Sequence, residues 1–172
     1  MKRGMSWLGL GLILGFLLCL SINFYLPAVR IEPVFSPEDG NRVIELIDSA
    51  QKSVDIEVYV FTSRDVVEAL ERAKYRGVIV RVIMEKRVMS YQNTQMYDEL
   101  EAKGFAVKFA STIFDLTHSK FIIIDEKIVL VGSHNLSFSA LYENREASVI
   151  IFDEKIAEKF RDIFEQDWII GY

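Results

Sequence analysis

The segment Lys120 to Ile124 sets Phe121, Ile122, Ile123 and Ile124 at consecutive positions. Successive side chains of a strand point to opposite faces of a sheet, so a run of this kind needs cover on both sides. Its surroundings supply candidates for that cover. Strand patterns are read at Val54 to Val60, Val78 to Met84, Phe105 to Phe109, Ile128 to Val131 and Ala147 to Phe152. Asp125-Glu126-Lys127 makes the tight connection of a hairpin. Helical spacing stands between the strands. Val43, Ile44, Leu46, Ile47 and Ala50 share one face, after a helix start at Ser36-Pro37 with Asp39 three residues on. Arg64 to Arg76 ends at Gly77, and Tyr91 to Lys103 ends at Gly104. Asp153 to Trp168 closes the chain with Ile156, Ala157, Phe160, Ile163 and Phe164 inward. The expected class is α/β, a mixed β-sheet sandwiched between helices, with no internal repeat.

The N-terminus reads differently. Lys2-Arg3 precedes an apolar run from Trp7 to Leu20, and softer residues extend it to Leu26. The shorter stretch fits a secretory signal, and the longer one just reaches across a bilayer. A soluble core helix of this length would show a polar face, which is missing here. Residues 1–28 are therefore expected to form a hydrophobic helix, either a signal peptide or a membrane anchor. Residues 29–37, with Pro33 and Pro37, read as a linker, and 38–172 as the working domain. Uncleaved, residues 7–26 would hold the protein to a membrane. Positive charge ahead of the run favours a membrane-anchored or secreted protein with its domain outside the cytoplasm.

Composition narrows the chemistry. One cysteine, Cys19, excludes a disulfide scaffold and a thiolate metal cluster. Only His118 and His134 offer imidazole, too few for a two-histidine zinc helix in addition to any other role. Of the 20 Lys and Arg, two lie in the first 28 residues, which carry no acid. The other 18 face 25 Asp and Glu, a net charge of −7. A polyanion partner would need a local basic groove. Arg64, Lys86, Arg87, Lys103 and Lys108 are the candidates for such a track, against the plainer reading of solvated surface charge.

The reactive residue types gather between 118 and 146. His118-x-Lys120-x4-Asp125 is followed by Gly132-Ser133-x-Asn135, and Glu146 comes soon after. Strand parity puts His118 and Lys120 on one side and Asp125 on the other, so Asp125 reads as a supporting member of the set near a strand end. Ser133 and Asn135 share a side. His134 lies between them with reversed parity and is not expected to face the same atom. Together these groups suit a phosphate. Lysine gives a compact positive charge, Ser and Asn donate hydrogen bonds, and neutral histidine can attack phosphorus. Glu146 could hold the imidazole tautomer through its other nitrogen.

His118-Ser119-Lys120-Phe121-Ile122-Ile123-Ile124-Asp125, Gly132-Ser133-His134-Asn135 and Glu143-Asn144-Arg145-Glu146 resemble the signature of the phospholipase D superfamily. The resemblance implies a phospholipase D-like fold for the domain. It implies catalytic roles for His118, Lys120, Asp125 and Glu146, and phosphate binding by Lys120, Ser133 and Asn135. No cofactor or metal is implied, because the lysines do the electrostatic work. Larger members carry the motif twice. A single copy is similar to the small members, a bacterial endonuclease and a mitochondrial membrane-anchored branch, which are homodimers with a shared active site. A second His118 across a two-fold axis would supply the acid that the leaving oxygen needs. The zinc-binding insertion of some anchored members is absent here.

Three functions follow as expectations. The first is a metal-independent phosphodiester hydrolase acting through a phosphohistidine, an endonuclease of low sequence specificity. The second is a phospholipase D acting on membrane lipid, with Leu136 to Tyr142 lending apolar side chains to the site mouth. The third is a membrane-tethered dimer that binds phosphodiesters without catalysis.

Overall fold

The computed structural model describes residues 29–88 and 90–172, together with Gly11 and Phe16. The expected N-terminal helix, whether signal or anchor, otherwise lies outside the described residues. Among these no helix is long and apolar enough to cross a membrane.

Seven strands form one mixed sheet: β1 Arg30–Ser36, β2 Ser53–Val58, β3 Ile79–Met84, β4 Ala106–Phe109, β5 Lys120–Ile124, β6 Ile128–Gly132 and β7 Glu146–Phe152. Their order is β1-β7-β6-β5-β2-β3-β4. β2, β3 and β4 run parallel, and every other pairing is antiparallel. The helices are α1 Asn41–Ser49, α2 Arg64–Tyr75, α3 Ser90–Ala102, the short α4 Phe138–Tyr142 and α5 Glu154–Ile170.

The consecutive apolar run of β5 divides between two cores. Ile122 and Ile124 join Ile56, Leu130 and Ile150 against Val43 and Ile47 of α1, Leu70 of α2 and Leu100 of α3. Phe121 and Ile123 join Ile83 and Val129 against Ala157 and Phe164 of α5. Each fully buried aliphatic side chain contributes about 1.5–3 kcal/mol, so a one-residue slip of β5 would exchange its partners on both faces at once. Ser63 caps α2 by accepting from the Val66 N–H at 3.4 Å, and Asp153 caps α5 by accepting from Ile156 at 2.9 Å. In the β5–β6 turn Asp125 and Glu126 both have positive φ, 54° and 60°, which suits the twist of a hairpin.

Three expectations change. Residues 30–36 are a strand, not a linker: β1 pairs antiparallel with β7 along its whole length, Pro33 opposite Val149. Proline is tolerated there because β1 is an edge strand. The first helix begins at Asn41, after a turn, because Ser36 is the last residue of β1. Gly40 precedes this helix so closely packed that an added Cβ would sit 1.9 Å from the Leu141 carbonyl oxygen. On α5, Ile163 is exposed. The inward seam is Ala157, Phe160, Phe164 and Trp168, and Ile163 lies roughly 100° round the helix from its centre.

Candidate active site

The antiparallel registers bring five strand ends to one edge of the sheet. Lys120 at the start of β5 faces Val58 at the end of β2. Gly132 at the end of β6 faces Ser148 near the start of β7, and Glu146 faces Ser36 of β1. His118, Lys120, Ser133, Asn135 and Glu146 therefore meet at one pole, although they are spread along the sequence. Gly132 is required there. A Cβ on it would fall 2.3 Å from Ser148 Oγ and 2.4 Å from Ser148 Cα, so no side chain fits between β6 and β7.

His118 is exposed, with its ring edge-on to Tyr59 at a centroid distance of 4.4 Å. Lys120 is 8% exposed. Its Nζ donates to the His118 carbonyl at 2.7 Å and lies 5.0 Å from the Tyr59 ring centre. Burial pushes the Lys120 ammonium down from its ordinary value, and the charge of Glu146 opposes that shift. Asn135 accepts the Val60 N–H on Oδ1 at 3.2 Å, which orients its amide nitrogen as a donor toward a ligand. Ser133 Oγ accepts from the Ala147 N–H at 3.0 Å and donates to Glu146 Oε2 at 2.5 Å. Asn144 Nδ2 donates to the other oxygen of Glu146 at 3.4 Å.

The Glu146 carboxylate is thus engaged by Ser133 and Asn144, not by His118 as expected from the sequence. β6 stands between β7 and β5, which separates the two backbones by about 10 Å at roughly 4.8 Å per strand. Ser133, just past the end of the intervening strand, takes the carboxylate first. Asp125 is not brought to the cluster at all. It sits beyond the far end of β5, where its carboxylate accepts the backbone N–H groups of Gln51, Lys52 and Ser53 at 2.7–3.1 Å. His134 is 2% exposed and turned inward, with Nδ1 2.6 Å from Ser148 Oγ. Burial pushes it down from its ordinary value, against the charge of Glu146, and so favours the neutral ring.

Residues with no motif hold the His118 segment in place. The Thr117 N–H donates to Glu85 Oε2 at 2.9 Å, just ahead of His118. Burial alone would raise Glu85, but hydrogen bonds from Arg87 and from the Arg87 and Thr117 backbones outweigh it and hold the carboxyl at about 2. Asn93, fully buried, accepts from Phe61 N and donates to the carbonyls of Tyr59 and Glu85. On the far face of the sheet Ser119 donates to the buried carboxylate oxygen Oε1 of Glu57. In the sequence Glu57 and Tyr59 only continue the alternation of β2, and Glu85 only follows β3, with no motif to single them out.

Around the pole several large apolar side chains are exposed among polar ones. Ile113, Phe114 and Leu116, on the loop leading to His118, are 69%, 49% and 42% exposed. Of the 136–142 segment, Leu136 and Leu141 are buried and Phe138 is exposed. Phe138 borders a cavity of about 410 Å³ beside Asn135, whose other walls include Thr62, Ser137, Ser139, Asn144 and the acidic Glu143. The candidate cations of a basic track follow the plainer reading and are engaged within the fold. Arg64 pairs with Glu99, Arg87 with Glu85 and Lys103 with Glu71. Lys108 donates to the carbonyls of Trp168 in α5 and of Gly171 just after it, and Lys86 lies over the Phe109 and Tyr172 rings. Among the described residues no group of three or more His, Cys, Asp or Glu side chains is arranged to hold a metal ion.

Comparison with known proteins agrees with this geometry. A family model described as cardiolipin synthase, PLD-like domain, matches residues 43–168. Phospholipase D of Rickettsia prowazekii (strain Madrid E) is 30% identical over 148 residues, 81% of this chain and 70% of that protein. The mitochondrial cardiolipin hydrolase of Drosophila melanogaster is 31% identical over 147 residues, 74% of this chain and 57% of that protein. The match thus spans little more than half the length of the fly relative. The crystal structure of a phospholipase D family member, Nuc from Salmonella typhimurium, superposes with a TM-score of 0.78 at 30% identity, covering 84% of this chain and 97% of that one.

Proposed function

The chain belongs to the phospholipase D superfamily and is a phosphodiesterase; on that premise we propose that it hydrolyses phosphodiesters through a covalent phosphohistidine on His118. The observation that carries this reading is the convergence of buried Lys120 with exposed His118 and Ser133 and half-buried Asn135 at one sheet edge. Neutral His118 attacks phosphorus, and the bond to the leaving alcohol oxygen breaks. The partner subunit's His118, protonated, gives that oxygen its proton. Now neutral, it takes a proton from water, and the hydroxide attacks phosphorus and breaks the P–N bond. Lys120 and Asn135 of both subunits stabilise the non-bridging oxygens as charge gathers there. Ser133, steadied by Glu146, aids them. Asp125 serves the fold of the hairpin end, not the reaction.

As substrate we favour a phospholipid. The rim of Ile113, Phe114, Leu116 and Phe138 suits acyl chains, and the cations considered for a nucleic-acid track are engaged within the fold. The cavity beside Asn135, lined by hydroxyls, amides and Glu143, suits a polar alcohol headgroup. One observation favours a nucleic acid. Arg30, next to the apolar run, lies at the opposite end of β1 from the site, about 20 Å away. A domain held through residues 7–26 would then turn His118 away from its own bilayer, toward polymers in solution. Side-by-side assays on anionic phospholipid vesicles, plasmid DNA and RNA in EDTA decide between them. Vesicle turnover with none on DNA or RNA is expected, and the reverse would overturn the lipid reading. Equal activity of wild type and His118→Ala would overturn the catalytic reading altogether.

A further inference from the structure

Ser119 stands between the two residues that face the phosphate, yet it points the other way. Strand parity turns it to the α5 face of the sheet, where its hydroxyl donates to Glu57 Oε1. Glu57 is 2% exposed, and its second oxygen, Oε2, is buried with no hydrogen-bond partner among the described residues. Its cross-strand neighbours are Ile83 of β3 and Phe121 of β5, both apolar and buried. From α5 the acting charge is Asp167, another carboxylate. Two residues back on β2, Asp55 has Arg81, which is itself shared with Glu165 of α5. Among the described residues no cation is left for Glu57.

Glu85 makes the contrast. It grips the same segment through Thr117 and is equally buried, but Arg87 and two backbone N–H groups keep it ionised. Glu57 has one hydroxyl and a like-charged neighbour. Burial, with Asp167 adding to it against the Ser119 hydrogen bond, pushes Glu57 up to about 7. A protonated Glu57 can donate toward Asp167 while it accepts from Ser119. An ionised one sets two carboxylates against each other beside Phe121 and Ile83.

We propose that Glu57 is a positioning residue for phosphoryl transfer, its protonated carboxyl linking Ser119 to α5 so that His118 and Lys120 stand correctly, and that loss of this proton displaces the strand and slows turnover. This rests on the reading of His118 as the nucleophile. The proton released goes to solvent, and no bond of the substrate involves Glu57. The consequence is a phosphodiesterase whose turnover, not its substrate binding, declines as the pH passes neutrality.

The test is kcat and KM between pH 5.5 and 8.5 for wild type, Glu57→Gln, Ser119→Ala and His118→Ala. Glutamine keeps the size and the acceptor for Ser119 but cannot ionise. The ratio of kcat for Glu57→Gln to wild type is expected to climb about fivefold across this range, with KM ratios constant. Taking the ratio cancels the titration of His118, which both proteins share. A ratio that does not change with pH overturns the proposal. Should Glu57→Gln fail to fold, Ser119→Ala decides. Its kcat is expected below wild type at pH 5.5 and converging on it at pH 8.5, whereas a constant ratio again overturns the proposal. His118→Ala separates the two readings: if it is inactive while the ratios stay flat, only the role of Glu57 falls.

Discussion

At one end of β5, His118 is open to solvent, Lys120 is buried with a single carbonyl acceptor, and Asn135 has an amide nitrogen to offer. At the other end, Asp125 receives three backbone N–H groups and closes the turn into β6. Both ends come from one short motif, His118-x-Lys120-x4-Asp125. What separates them is saturation. A group whose hydrogen bonds are already met inside the fold has little left for a substrate, whereas a group held in place but under-used can serve one. Glu57 and Glu85 repeat the lesson one layer down: both are shut off from solvent, but Glu85 receives Arg87 and two backbone N–H groups, whereas Glu57 has one hydroxyl and a like-charged neighbour, and they titrate in opposite directions.

The largest expected effect breaks the comparison at its reactive end. His118→Ala should lower kcat by about a thousandfold or more, while its melting temperature stays within about 2 °C, because an exposed ring contributes little to stability. Turnover of bis(p-nitrophenyl) phosphate and a thermal melt check both halves. Lys120→Met should cost roughly a hundredfold in kcat by removing positive charge from the non-bridging oxygens. Next, Asp125→Ala should do the converse. It should destabilise the fold by about 2–3 kcal/mol, from three lost charge-assisted bonds, and leave kcat at 15 °C within about twofold of wild type. A denaturant titration beside the same assay tests it. An Asp125→Ala protein that is stable but inactive would erase the distinction between the two ends.

An effect no larger than that of Asp125→Ala concerns pH. The folded chain holds the Glu57 proton more tightly than the unfolded chain does, at about 7 against an ordinary 4.5. Stability from this group is therefore fully present in acid and falls as pH rises from about 4.5 through 7, by on the order of 2–3 kcal/mol. Glu85 has the opposite sign. Its folded value of about 2 lies below 4.5, so its contribution is present above that and lost as pH falls toward 2. Denaturant midpoints from pH 5 to 8 should decline in wild type and flatten in Glu57→Gln.

Much of the site is legible in the amino-acid sequence, because parity and spacing act locally. His118 with Lys120, and Ser133 with Asn135, follow from two-residue periodicity. The partner of Glu146 does not, because it depends on strand order, and nothing local says that β6 lies between β7 and β5. β1 is hidden by Pro33, which only an edge position makes compatible with a strand. Asp55 and Glu57 look like the wet side of an alternating strand, yet α5 covers them. The alternation is visible in the sequence, and what lies above it is not.

The central claim is a covalent bond between His118 and phosphorus, formed in a site shared by two chains. Wild-type protein should be quenched in base during turnover of bis(p-nitrophenyl) phosphate, digested, and its peptides weighed. The account predicts the retained p-nitrophenylphosphoryl group on the peptide containing His118, at about one per two chains, with none in His118→Ala. An active enzyme whose His118 peptide never gains that mass would contradict it.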